Sequence, residues 1–271
     1  MAGVCGGVWV SNRPLLEIRN LKSIQHLEFP IPKSGTWLLT GANGVGKSAL
    51  LTCLYRINYK DAFRDHFPSS SISRRLVSFE NAQVSYQVNK SRVAYRRNRH
   101  RWVPRPRSQA SLLRKIGFNG VVHIGATADR ITPKPEDFNP ARSRSANQRI
   151  IDLANEVFNT NRFSNLRVVN VTRGVNEAFV IRKGHQSPYD YFGEKLLSVG
   201  ELCVLKLLKR VLALPSQSLI LIDELEIALH PTAQARLFSI ISRLTSEGNH
   251  TAIFSTHSAT LLKLSKQNQI L

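Results

Sequence analysis

The segment from Gly41 to Ser48 constrains this chain more than any other, because it fits the pattern G-x-x-x-x-G-K-[ST]. An apolar stretch over 36–40 precedes it and is typical of a buried strand, and a helical pattern over 49–55 follows. Glycines let such a loop curve so that successive N–H groups point at phosphate oxygens. This context predicts a phosphate-binding loop rather than a plain glycine-rich turn, with Lys47 bridging the β- and γ-phosphates of a nucleotide and the Ser48 hydroxyl binding Mg²⁺.

A second constraint is the aliphatic run over 219–222, which ends in Asp223 and Glu224. A short aliphatic run of this kind indicates a buried parallel strand, and ligands bind at the carboxyl ends of such strands. We expect Asp223 to hold Mg²⁺, directly or through water, and Glu224 to orient and deprotonate the attacking water. Taken alone, the same residues suit a strand that ends in a solvated acidic turn.

Two further segments have both a local and a functional interpretation. Ser198 precedes a helical pattern and has Glu201 three residues later, which is the spacing of a helix capping box. The same helix N-terminus could bind the γ-phosphate of a nucleotide. His257 follows a second aliphatic strand at 251–254, and its place after the acidic strand favours a γ-phosphate sensor over a merely solvated histidine.

Together, the four segments resemble the motifs of ABC-type ATPases. The branch they resemble most contains the RecF, structural-maintenance-of-chromosomes (SMC) and overcoming-lysogenization-defect (OLD) ATPases, of the AAA_15 and AAA_21 types. The resemblance implies an α/β fold, an ABC-ATPase-type nucleotide-binding domain with a mixed central sheet and an inserted basic, strand-rich middle lobe. It also implies ATP hydrolysis to ADP and phosphate with Mg²⁺, and catalytic roles for Lys47, Glu224 and His257.

The same resemblance implies which residues contact the nucleotide and the metal. The start of the chain, over 16–24, is similar to the first strand of those proteins, in which a basic residue and a hydroxyl reach the nucleotide. The expected nucleotide contacts are Lys22, Ser23, Asn43, Gly44, Val45, Gly46, Lys47, Ser48, Ala49, Ser198, Gly200 and Glu201. The expected metal ligands are Ser48 and Asp223.

The resemblance further implies an oligomer. In that family ATP lies between the phosphate loop of one subunit and the signature segment of the other, so Ser198 and Gly200 would act in trans in a dimer or a multiple of dimers. The segment from Asp223 to Pro231 resembles the family's D-E-x-E-x-x-L-H-P box, which places His230 in a loop that faces the partner subunit.

The match covers about 15–60 and 190–265, and it divides the chain into three parts. These are an N-terminal part of the ATPase lobe (1–60), a basic middle lobe (61–190) and a C-terminal part of the ATPase lobe (191–271). The middle part matches loosely, with its best agreement at 121–130. Gln87 is a candidate for the Mg²⁺-sensing glutamine, although its spacing is poor. The chain ends where another strand would be expected, which suggests a fragment or a minimal version of a longer protein.

Charge is the other strong feature, since the formal net charge is +20. Ten Lys and Arg residues and no Asp or Glu occur between 90 and 115. This composition predicts a surface for the phosphate backbone of a nucleic acid, with Arg96, Arg97, Arg99 and Arg101 as its centre. Tyr95 and Trp102 are interleaved and could stack on bases. An acidic protein partner or a solvated face are the alternatives.

Composition argues against several other classes. No segment approaches the roughly 20 apolar residues needed to cross a bilayer, and the N-terminus lacks the charged start of a secretion signal. The three cysteines are scattered, which fits a reducing cytoplasm and argues against a cysteine metal site. The leading hypothesis is an ATP-switched protein of DNA maintenance or phage defence, with a nuclease or toxin effector on a separate chain. The alternatives are a nucleotide-gated scaffold that holds an effector inactive and, less favoured, a transporter's nucleotide-binding subunit.

Overall fold

The structure, a computed structural model, describes residues 13–67, 79, 81–98, 101–125, 143–170, 177–182, 191–224, 228–266 and 269–271. The strands are β1 (Leu15–Leu21), β2 (Ile24–Pro30), β3 (Gly35–Leu39), β4 (Gln83–Val88), β5 (Ser91–Asn98), β6 (Arg101–Arg105), β7 (Val121–Gly125), β8 (Arg144–Ser145), β9 (Leu166–Asn170), β10 (Glu177–Arg182), β11 (Tyr191–Gly193), β12 (Leu219–Asp223) and β13 (Thr251–Ser255). The helices are α1 (Lys47–Tyr55), α2 (Ala62–His66), α3 (Gln148–Phe158), α4 (Val199–Leu212), α5 (Pro231–Glu247) and α6 (Ala259–Leu264).

A four-stranded parallel sheet forms the centre of the fold, in the order β3-β13-β12-β7. Its strands are buried on both faces, which explains why β12 and β13 read as almost continuous aliphatic runs. Ile220 and Ile222 pack on the side of α3, α4 and α5, whereas Leu219 and Leu221 pack on the side of α1. Because residues alternate along a strand, Asp223 belongs to the face that carries α1.

Two antiparallel sheets flank this centre. A five-stranded sheet has the order β2-β1-β4-β5-β6, and its buried side chains pack in one hydrophobic core with those of α1 and α2. A four-stranded sheet has the order β11-β10-β9-β8. The fold thus combines parallel and antiparallel strands, as expected, with the antiparallel strands in two sheets beside the parallel one. The alternating patterns at 83–88 and 92–95 predict a hairpin across 89–91, which is confirmed because β4 pairs with β5 around a turn at Asn89 and Lys90.

Strands from the middle part of the sequence pair with strands from the N-terminal and the C-terminal parts. β4 pairs with β1, and β7 lies beside β12 in the central sheet. Strands of 61–190 therefore share sheets with strands of 1–60 and of 191–271. Outside the described residues lie 69–73, where the polar sequence predicts a linker, 126–130 of the 121–130 segment, and most of 133–145, where the proline- and arginine-rich sequence predicts a loop.

Candidate nucleotide-binding site

The glycine-rich loop joins β3 to α1, as the sequence predicted. Gly44 and Gly46 have φ values of 79° and 110°, which lie in the left-handed region that only glycine adopts without strain. Gly46 is also the N-cap of α1, so the loop leads directly into the first turn of the helix. Asn43, Gly44 and Val45 are exposed on this loop, and Ala49 is buried beneath it. A loop with this shape can present its N–H groups to an anion at the positive end of the helix dipole.

The β1–β2 turn lies directly against this loop. A Cβ atom on Gly46 would lie 2.5 Å from Cγ1 of Ile24 and 3.4 Å from Oγ of Ser23. Glycine is thus required at 46 both by its φ and by the close approach of Ile24. Ser23 lies beside the loop, as expected, but the Nζ atom of Lys22 lies 5.0 Å from the ring centroid of Phe67.

The ammonium group of Lys47 lies inside the loop and has three hydrogen-bond acceptors around it. It donates to the carbonyl oxygens of Gly41 at 3.1 Å and Ala42 at 3.2 Å, and it lies 2.6 Å from Nε2 of His257. An ammonium group has three protons and accepts none, so Nε2 of His257 is the acceptor in this pair. Only 5% of the Lys47 side chain is exposed.

Glu224 completes this group of side chains. Its Oε1 atom lies 3.5 Å from Nε2 of His257 and 4.0 Å from Nζ of Lys47. Its backbone has a φ of 50°, and its N–H donates to the Oγ and the carbonyl oxygen of Ser255 at 3.1 Å and 3.2 Å. The glycine-rich loop, the acidic strand end and the histidine segment therefore meet at one place.

Ser255 is a residue that the sequence analysis missed. It lies opposite Asp223 in the register of β12 and β13, and its Oγ donates to Oδ1 of Asp223 at 2.5 Å. The signal was available in principle, because two parallel strands that end together place their last residues side by side. Through these bonds Ser255 fixes both the Asp223 carboxylate and the backbone of Glu224.

The donors expected to bind Mg²⁺ have suitable chemistry. Ser48 is exposed in the first turn of α1, and Asp223 ends its strand on the face that packs against the same helix. A hydroxyl and a carboxylate are hard oxygen ligands of the type that Mg²⁺ prefers, so the residues present fit this ion.

The signature segment forms a complete capping box. Oγ of Ser198 accepts from the N–H of Glu201 at 3.1 Å, and Oε2 of Glu201 accepts from the N–H of Ser198 at 2.8 Å. The other carboxylate oxygen of Glu201 accepts from Nη1 of Arg162 at 2.6 Å. The local interpretation of these residues is thereby confirmed, and Glu201 uses both of its oxygens within the chain.

Close packing explains why residue 200 is a glycine. A Cβ atom there would lie 2.2 Å from the carbonyl oxygen of Ala228 and 2.8 Å from Cδ2 of Leu229. The first turn of α4 therefore touches the turn that follows the acidic strand. In that region His230 is the N-cap of α5 and accepts from the N–H of Thr232 at 3.4 Å, while residues 225–227 of the D-E-x-E-x-x-L-H-P box lie outside the described residues.

A cavity of about 720 Å³ adjoins the glycine-rich loop. Val45, Gly46 and Lys47 form one side of it, and the remaining, mostly apolar lining comes from β2, from Leu271 and from Leu15, Leu39, Thr40 and Leu50. The cavity has the size and character of small-molecule sites in proteins.

Gln87, the candidate Mg²⁺-sensing glutamine, pairs with Leu15 at the end of β1 that lies away from the β1–β2 turn.

His123 lies on β7 and was not singled out by the sequence. Its ring packs 5.4 Å from that of Tyr55 and 5.5 Å from that of His66, and its Nε2 has no hydrogen-bond partner among the described residues. Burial lowers the pKa of His123 to about 4, although the nearby Asp223 carboxylate acts in the opposite direction. A half-buried, neutral imidazole thus lies on the α1 face of the central sheet.

The basic residues of β5 and β6 are divided between the outer and the inner face of the five-stranded sheet. Arg96 and Arg101 are exposed on its outer face, and Arg105, opposite Ala94, shares this face with them. Arg97 points to the inner face, where its guanidinium lies 5.1 Å from the ring centroid of Phe79. Arg99 lies outside the described residues. We call Arg96, Arg101 and Arg105 the outer arginine row.

The expectation that Tyr95 and Trp102 stack on bases is wrong. Tyr95 is 2% exposed, and Trp102 packs against the same core, with its ring centroid 5.0 Å from that of Phe63. Side chains alternate between the faces of a strand, and both rings occupy the buried face.

A further group of potential ligands lies on β1 and β2. Glu17, His26 and Glu28 bring their ligand atoms within 4.8 Å of one another. Burial would raise the pKa of Glu17, but hydrogen bonds and charges from Arg19 and Arg92 lower it overall. The ion pairs with Arg19 and Arg92 account for the Glu17 carboxylate without a metal ion.

Among the helices that the structure describes, none combines the length and the apolar composition that a membrane span needs.

Comparisons with known proteins agree with the motifs. Residues 184–263 match the family model described as "AAA domain, putative AbiEii toxin, Type IV TA system", which spans less than a third of the chain. The solved structure of an SMC head bound to the C-terminal winged-helix domain of ScpA has 14% identity and a TM-score of 0.50, and the match covers 92% of this chain and 91% of that one. No curated protein matches the chain in sequence.

Two further SMC heads are similar at lower TM-scores. The head domain from Thermotoga maritima has 15% identity and a TM-score of 0.44, covering 93% of this chain and 91% of that one. The head with an extended coiled coil from Pyrococcus furiosus, bound to the C-terminal domain of ScpA, has 11% identity and a TM-score of 0.47, covering 92% and 91%. By its match over 92% of its length to the ScpA-bound SMC head, the chain has the fold of an SMC head domain.

Proposed function

We propose that this protein binds and hydrolyses ATP, and that ATP joins two copies of it into a dimer. The observation that carries the proposal is the meeting of Lys47, Glu224 and His257, which come from three separate motifs and lie within 4.0 Å of one another at the glycine-rich loop. A cation for the phosphates, a carboxylate for the attacking water and a further hydrogen-bonding group at the start of a helix can together position the reactants of phosphoryl transfer to water.

Each residue has a role that its position supports. The ammonium of Lys47 would exchange its loop carbonyls for the β- and γ-phosphate oxygens of ATP. The carboxylate of Glu224 would orient the attacking water and take its proton, and Nε2 of His257 would contact the γ-phosphate. Ser48 and Asp223 would hold Mg²⁺, which when bound neutralises charge on the phosphates. The apolar cavity beside Val45 suits the base of the nucleotide.

Exposed apolar side chains around the signature segment support dimerisation. Leu196 and Val199, which flank Ser198, are 60% and 43% exposed, and Val45 in the glycine-rich loop is 49% exposed. Apolar side chains at these two places would be buried if the signature of one copy covered the loop of the other. Ser198 and Gly200 would then act in trans.

The cellular role that we propose is DNA maintenance or phage defence in the cytoplasm, with a nuclease or toxin effector on a separate chain. The matched family model names a toxin of a toxin–antitoxin system, and the similar SMC head is bound to a domain of another protein. The outer arginine row favours contact with a nucleic-acid backbone. A scaffold that holds an effector inactive would have the same site with slow turnover.

The test is phosphate release from ATP by the purified protein and by its Lys47→Ala variant. We expect measurable turnover that Lys47→Ala abolishes together with ATP binding, because the phosphates lose the charge that holds them. Arg149→Ala, which lies on α3, serves as a control that keeps the loop intact. ATP binding without any turnover would leave the scaffold as the better function, and the absence of ATP binding would contradict both.

A further inference from the structure

A second cavity lies at the opposite end of α1 from the glycine-rich loop. It has a volume of about 710 Å³ and is lined by residues 55–60 at the end of α1 and beyond it, by Ala110, Leu113 and Arg114, and by 118–121 up to the start of β7. Helix α1 has nine residues, so about 13 Å of helix separates its two ends. The volume falls within the range of sites for small molecules.

The charged residues in the lining of this distal cavity are Arg56, Lys60 and Arg114, and all three are basic. Asp61 and Asp65, the acids that follow in the chain, are both paired with Arg64. Arg64 compensates one of these two negative charges, so the three basic residues of the lining still leave an excess of positive charge that attracts anions.

The three basic residues differ in whether their side chains already contact other residues. Arg56 is held in place, since its guanidinium lies 4.7 Å from the ring centroid of Tyr95 and donates to the Tyr95 hydroxyl at 3.3 Å. The side chains of Lys60 and Arg114 are exposed and make no hydrogen bond or ion pair to another residue in the described part of the chain. A fixed guanidinium beside two available cations suits a phosphate group, which accepts several charge-assisted hydrogen bonds.

Aromatic side chains form another part of the lining. The rings of Tyr55 and Tyr59 are stacked with their centroids 4.7 Å apart and an interplanar angle of 27°. The hydroxyl of Tyr59 donates to Asp65 at 2.7 Å, which fixes the orientation of this pair. Stacked, fixed rings offer a flat apolar surface to a planar group.

From these observations we propose that the distal cavity is a binding site for a small phosphate ester that carries a planar ring, such as a nucleoside monophosphate. The phosphate lies between Arg56, Lys60 and Arg114, and the ring lies against the tyrosine pair. The site is separate from the glycine-rich loop and does not depend on whether that loop hydrolyses ATP.

The experiment measures AMP binding by isothermal titration calorimetry to the full chain carrying Lys47→Ala, which removes the ammonium group of the first site. We expect saturable binding at one site per chain. Adding Lys60→Ser and Arg114→Ser should weaken it at least about tenfold, since two charge-assisted hydrogen bonds are lost. Adding Lys115→Ser, an exposed neighbour outside the lining, should leave the affinity unchanged.

The proposal is overturned if the Lys47→Ala protein does not bind AMP saturably at millimolar concentration, or if the double substitution leaves its affinity unchanged. Thermal unfolding of each variant shows whether it is folded, and Lys60→Ser alone replaces the double substitution if that one does not fold. An oligonucleotide that competes with AMP and loses affinity in the same variants would assign the cavity to nucleic acid, which also overturns the small-molecule proposal.

Discussion

The Nζ atom of Lys47 and the Nε2 atom of His257 lie 2.6 Å apart although 210 residues separate them in the chain. The contact exists because β3 and β13 are adjacent parallel strands, so the loop after one and the loop after the other leave the sheet at the same edge. Glu224, at the end of the next strand, comes within 4.0 Å of Lys47 for the same reason.

Replacing Glu224 by Gln should separate nucleotide binding from hydrolysis. We expect ATP binding to persist and hydrolysis to fall by about 100-fold or more, because an amide cannot take the proton of the attacking water. The dimer should then accumulate in the presence of ATP, as measured by light scattering. Glu247→Gln, on the far end of α5, is the matched control. Equal hydrolysis by Glu224→Gln and the unaltered protein would contradict the assignment of the base.

The signature can be tested for action in trans by mixing two inactive variants. Ser198→Arg places a bulky cation at the start of α4 and should stop hydrolysis while each subunit still binds ATP. Mixed with Lys47→Ala, it forms heterodimers in which one of the two composite sites has both halves intact, so part of the activity should return. If heterodimers form, as a pull-down with two tags would show, and no mixing ratio restores hydrolysis, the signature does not act in trans.

Gly200 should tolerate no side chain. Gly200→Ala introduces a Cβ atom 2.2 Å from the carbonyl oxygen of Ala228, a backbone atom that cannot move without shifting the turn. We expect the free energy of unfolding to fall by about 1–3 kcal/mol, the usual cost of overpacking. Urea denaturation measures this change, with Val199→Ala, at an exposed position, as the control. Equal stability of the Gly200→Ala variant and the unaltered protein would show that this contact relaxes freely.

The outer arginine row should determine the salt dependence of DNA binding. Each phosphate contact contributes a log–log slope of roughly −0.9 on duplex DNA, so replacing Arg96, Arg101 and Arg105 by Ser should flatten the slope by about 2–3 units. Arg97→Ser is the matched control, because this guanidinium lies on the inner face against Phe79. Basal ATP hydrolysis should not change. An unchanged slope in the triple variant would exclude this face as the nucleic-acid site.

The half-buried imidazole of His123 should make stability depend on pH. Its pKa is about 4 in the folded protein, below the value of 6.5 for an ordinary histidine, so the unfolded chain binds more protons between these two values. The free energy of unfolding should therefore fall as pH decreases from 6.5 to 4, by up to about 3 kcal/mol from this residue. His123→Phe should reduce that dependence in urea titrations at several pH values. The same dependence with and without His123 would assign it to other groups.

The sequence by itself determined the local parts of this protein. The glycine-rich loop, the aliphatic strands β12 and β13 and the capping box at Ser198 all follow from residues that are close in the chain, where backbone conformation and hydrophobic periodicity act directly. The order of the motifs was enough to indicate the ABC-type fold. The hairpin of β4 and β5 was predicted for the same reason, since its alternating pattern and its turn are contiguous.

Only the tertiary structure decided which side chains meet and which face outward. The contact of Ser255 with Asp223 depends on the register of two parallel strands that a helix separates in the chain. The division of the basic segment, with Arg96 outside and Arg97 inside, depends on which face of its sheet covers the core. That choice buried Tyr95 and Trp102, because the apolar area that they bury is worth more to the fold than exposed rings. A count of charges along the chain contains no information about that face.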